Sequence, residues 1–158
     1  MKKFILAVVA ILTIVSTAEA KRLGDTLRGV LEQQLPKVEK SIEDNKELFE
    51  RNSLTVKQME EYFSRLNKKK DKDLLNPGLK FLKVSKEYQQ WQAELIATLE
   101  LEREIMSKML ETGEYDRRLG MVNLGPITER QRGLETRLMA AQIEYSVAVR
   151  AYNLKRGM

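Results

Sequence analysis

The chain has 158 residues, with 28 Lys and Arg against 23 Asp and Glu, and it contains neither His nor Cys. Those absences exclude His- or Cys-based catalysis, metal sites built on either residue, and disulfides, which leaves paired carboxylates as the acid–base machinery to look for. A net charge of +5 is mild, well short of the basic footprint of a nucleic-acid binder.

Residues 1–20 have the pattern of an export signal. Met1-Lys2-Lys3 is a short positive start, Phe4 to Val15 is an apolar run, and Ala18 and Ala20 supply the small residues of a cleavage site. The run of about a dozen residues is shorter than the roughly 20 that span a bilayer. No Cys follows it to carry a lipid. The expected mature chain is residues 21–158, a single helical domain in the periplasm, held at the outer membrane or released beyond it. Without cysteine it must be stable through core packing alone.

With 8 Gly and 3 Pro, and no sustained alternation of apolar and polar residues, the rest of the chain reads as helical. From Lys21 to Asn52, Leu23, Leu27, Val30 and Leu31 form one stripe, and Leu35, Val38, Ile42 and Phe49 another. Pro36 lies between them, and a proline inside a helix costs about 3 kcal/mol. Two short helices or one kinked helix is expected. Asn52-Ser53-Leu54-Thr55 reads as a break, with Thr55 and Gln58 at capping-box spacing before a short helix carrying Val56, Met59, Tyr62, Phe63 and Leu66.

The charged run Lys68–Asp73 and the turn signal Asn76-Pro77-Gly78 precede a long helix over about 79–112. Val84, Tyr88, Trp91, Leu95, Leu99, Ile105, Met106 and Met109 mark its apolar face, and Gly113 its end. Residues 114–125 form an irregular connector in which Glu114 to Leu119 could make one helical turn. A second long helix, about 126–156, opens at Pro126. Ile127, Gln131, Leu134, Leu138, Ala141, Tyr145, Ala148 and Tyr152 then alternate in steps of four and three, with Ile143, Val147 and Leu154 widening the stripe. The expected fold is all-α: an elongated helical bundle built on a long antiparallel helical hairpin, with shorter N-terminal helices.

Candidate chemistry is sparse. Glu94, Glu100, Glu102 and Glu104 sit on the long helix, but only Glu100 and Glu104 share a face, so a pair of acids across a cleft is not expected. No phosphate loop, nucleophile elbow or calcium-loop pattern occurs. Neither a catalytic residue nor a cofactor or metal is assigned. The Lys68–Asp73 run is read as a solvated loop, its lysines diluted by Asp71 and Asp73. Met106, Met109, Met121 and Met139 would mark a client-binding groove if several were exposed together, and otherwise fill the core.

Leu134 to Leu138, Tyr145, Ala148-Val149-Arg150 and Tyr152-Asn153 together resemble the last helix of LemA-family envelope proteins and the Tyr-x-x-Ala helices of outer-membrane efflux channels. A small, basic, exported, helical chain is also similar in composition to Skp-class periplasmic chaperones. No site residue follows from either likeness. The function expected is that of an exported, non-enzymatic protein acting through protein contacts in a bacterial envelope assembly, such as a secretion, conjugation or pilus apparatus. A holdase chaperone for unfolded envelope proteins is the alternative. Partners would be envelope proteins or a second copy of the chain, not nucleic acid, with Arg117, Arg118, Met121, Leu134, Leu138, Tyr145 and Tyr152 as contact residues.

Overall fold

A computed structural model describes residues 23–156, so the export-signal segment lies outside the described residues. Three α-helices and one 3₁₀ helix make up the described chain: α1 (Asp25–Arg65), α2 (Lys72–Thr112), the 3₁₀ turn (Arg117–Met121) and α3 (Gly125–Arg156). No strand occurs among the described residues. The all-α expectation holds, and so does antiparallel packing of long helices. The packing of the described residues divides into two compact units, one of residues 23–46 with 94–127, the other of 47–93 with 128–156.

In place of shorter N-terminal helices, residues 25–65 form one helix of 41 residues. Pro36 stays inside it at an exposed position, next to solvent that can replace the hydrogen bond its ring removes. Nearby Leu31, Val38 and Ile42 are buried and hold the segment helical. The expected break at Asn52–Thr55 is absent for a different reason. The Thr55 hydroxyl donates back to the Arg51 carbonyl at 3.0 Å, as a mid-helix threonine does, and so caps nothing. Its neighbours are engaged by α2: Asn52 Nδ2 donates to Gln92 Oε1 and Gln89 Nε2 donates to Ser53 Oγ, both at 2.8 Å. Polar residues that read as a turn are therefore a hydrogen-bonded seam between two helices.

The Asn76-Pro77-Gly78 turn signal is likewise overridden. α2 begins at Lys72 and runs through it. A Cβ on Gly78 would lie 2.4 Å from the Phe63 ring, so glycine is present for close packing and not for a turn. Sequence and structure agree at the far end, where Gly113 adopts φ +68° and its N–H donates to the Met109 carbonyl.

In the first unit, Leu27, Leu31, Val38 and Ile42 of α1 pack with Leu99, Ile105, Met106 and Met109 of α2, and Leu119 and Val122 close the cluster. Lys46 meets Glu100 at 2.6 Å across this pair. In the second unit, Val56 and Phe63 of α1 meet Leu75 and Leu82 of α2, with Tyr145 of α3 against them. Ion pairs give the direction of α3 along α2: Asp73 with Lys155, Lys80 with Glu144, and Glu87 with Arg137. Partner numbers fall as α2 advances, so the two helices are antiparallel, as expected for this hairpin.

Candidate interaction surface

α3 carries apolar residues on two opposite sides. At about 100° per residue, Leu134, Leu138, Ala141, Tyr145, Ala148 and Tyr152 share one arc of roughly 80°, and Met139, Ile143, Val147 and Leu154 occupy another arc of similar width on the far side. Burial separates the two sharply. Leu134 is 7% exposed and Ala141 2%, whereas Met139, Ile143, Val147 and Leu154 are 64, 62, 61 and 80% exposed.

The inward face is held by aromatic packing and a polar clasp. Tyr145 lies edge-on to Phe63, with ring centres 5.6 Å apart, and stacks on Phe81 at 5.8 Å. Burial raises its phenol pKa. One turn from the helix end, the Tyr152 hydroxyl donates to Asp71 Oδ1 at 2.6 Å, and Arg156 reaches the same oxygen at 3.2 Å while lying over the Tyr152 ring. Asp71 Oδ2 accepts from the Asn67 backbone N–H at 2.8 Å. The Tyr152 hydroxyl, followed by that N–H, holds the Asp71 carboxyl below its ordinary pKa. Lys155 does the same for Asp73. The lysine loop is thus not purely solvated: Lys68, Lys69 and Lys70 are exposed, but Asp71 is buried and anchors the end of α3.

The expected contact residues fall into two groups. Leu134, Leu138, Tyr145 and Tyr152 lie on the inward face, occupied by the chain's own packing, and Ile143, Val147 and Leu154 form the opposite, open face instead of widening theirs. Arg117, Arg118 and Met121 lie in the connector. Arg117 is exposed, Arg118 is turned back onto Asp116 at 2.6 Å, and Met121 is 80% exposed. Of the methionines, Met106 and Met109 are core, while Met121 and Met139 are exposed.

Glu100 and Glu104 line one open cleft together with Glu39 and Glu111. Glu100 is bound to Lys46, whose hydrogen bond lowers its pKa, while Glu102 is buried and raised by desolvation. Residues two apart on a helix point to opposite sides, so the two share no cleft. Among the described residues no group of three or more Asp or Glu side chains is placed to hold a metal ion, and no helix is long and apolar enough to cross a membrane.

Comparison with protein-family models, curated proteins and solved structures finds no match for this chain. Fold and surface together define an all-α protein of antiparallel helices, one of which is apolar on both sides.

Proposed function

We propose that this is an exported, non-enzymatic helical protein that works through protein–protein contacts, as an accessory or structural component of a bacterial envelope assembly such as a secretion, conjugation or pilus apparatus. The observation carrying this reading is the exposed row Met139, Ile143, Val147 and Leu154 on α3. Single exposed apolar residues are ordinary on a soluble surface, but four aligned on one side of a helix, with Arg150 between Val147 and Leu154, form a row of the kind that docks another helix. Their shape also favours docking over capture of unfolded clients, since a row on a convex helix encloses nothing. Periplasmic residence follows from the export-signal pattern at residues 1–20.

The test is the size of the native species. In envelope extracts the wild-type protein should migrate in complexes larger than the lone chain, and Ile143→Arg should shift it to monomer size without changing its helical circular dichroism. Migration as a lone monomer in wild-type extract would contradict the reading. Suppression of client aggregation that survives Ile143→Arg would favour the holdase instead.

A further inference from the structure

Resting on the contact reading above, we infer that the partner of the outward α3 face is a second copy of the same helix, docked antiparallel about a two-fold axis close to Ile143. Three features converge on it.

The first is the spacing of the row. An antiparallel pair centred near Ile143 sets Met139 of one copy against Val147 of the other, places the two Ile143 side chains together at the axis, and lays Leu154 along the aliphatic stem of Arg132. An isologous contact of this kind needs a patch complementary to itself under reversal, and the apolar row meets that condition.

The second is charge. At about 100° per residue, Arg150 lies about 20° and Glu135 about 80° round the same side of the helix from Ile143, one after the apolar centre and one before it. Both are exposed, and neither makes an ion pair within the chain among the described residues. Rotation about a two-fold axis perpendicular to the helices keeps an edge facing itself. Glu135 of one copy therefore meets Arg150 of the other, twice. A parallel pairing would instead set Arg150 near Arg150 and leave the two Glu135 side chains on opposite flanks with no cation, so the charges select the antiparallel arrangement. Two other charged groups of α3 are already paired with α2, Arg137 by Glu87 and Glu144 by Lys80.

The third is area. The four apolar side chains with Thr136, Ala140 and Arg150 would bury on the order of 1,000 Å² summed over both copies, the lower edge for a specific interface. The dimer should accordingly be reversible, with Kd on the order of 100 µM.

Sedimentation equilibrium on the purified protein, from about 5 µM to about 1 mM, spans that range. The apparent mass should rise towards twice that of the chain. Ile143→Arg, which places two like charges at the axis, should keep it monomeric throughout with an unchanged thermal melt. Arg150→Glu should raise Kd roughly tenfold, and the exchange Glu135→Arg with Arg150→Glu should restore it to within about threefold, because reversing both members recovers the pairing. Restoration by the exchange separates a specific antiparallel contact from general stickiness. A monomer at every concentration, a dimer indifferent to Ile143→Arg, or an exchange variant no better than Arg150→Glu would overturn the inference. A lone monomer in solution whose wild-type form still joins larger envelope complexes, lost in Ile143→Arg, would overturn self-pairing alone and leave the contact reading standing.

Discussion

The two sides of α3 have similar apolar residues in similar spacing and opposite fates. Inward, Leu134, Ala141 and Tyr145 are covered, and the aromatic contacts with Phe63 and Phe81 fix the helix against its neighbours. Outward, Met139, Ile143, Val147 and Leu154 are all more than 60% exposed. What distinguishes the sides is the polar clasp rather than hydrophobicity. Asp71, Asp73, Lys80 and Glu87 present partners to Tyr152, Arg156, Lys155, Glu144 and Arg137, and these contacts set which way the helix faces. One side makes the fold, and the other is exposed.

Substitutions on the inward side should affect stability most. Phe63→Ala removes the ring that Tyr145 meets edge-on, and the loss should be about 3–5 kcal/mol in urea unfolding. Gly78→Ala would drive a methyl into that same ring, for about 1–3 kcal/mol. Gly133→Ala has open space around it within α3 and should instead stabilise by about 0.5–1 kcal/mol. The contrast between two helical glycines tests whether close packing, and not glycine itself, is the requirement at position 78.

A smaller effect is expected at the clasp, and it depends on pH. Asp71 and Asp73 have folded pKa values below their ordinary ones, so their contribution is present above the unfolded value and is lost as pH falls through the folded value. Tyr152→Phe removes the largest cause of the Asp71 shift. Unfolding free energy followed from pH 7 down to about 3 should fall less steeply in Tyr152→Phe than in wild type. Identical slopes would mean that the hydroxyl does not hold the carboxylate. Least affected should be Ile143→Ser on the outward side, whose stability should stay within about 0.5 kcal/mol of wild type because most of its side chain is already exposed.

Much of the fold was legible from residue types and spacing. Gly113 ends α2 because a left-handed residue costs glycine little, and α3 runs over nearly the expected span, opening at Gly125 and Pro126. Local signals failed where tertiary contacts outweighed them. Asn52, Ser53 and Thr55 have turn chemistry in isolation, yet α2 supplies partners for the first two and the helix backbone for the third. Asn76-Pro77-Gly78 has turn chemistry too, yet Phe63 needs the missing Cβ. The surface was only half legible. Ile143, Val147 and Leu154 step by four and seven, as Leu134, Leu138, Ala141, Tyr145 and Tyr152 step by four, three and seven. Two interleaved rows with one period cannot be told apart by period alone. Their angular offset and the ion pairs to α2 separate them.

Photo-crosslinking in intact cells, with the reactive group placed in turn at each position from 134 to 154, tests the central claim most directly. Protein adducts between separate chains should peak at 139, 143, 147 and 154 and be lowest at 134, 141, 145 and 152. A flat profile, or one with peaks and troughs exchanged, would contradict it.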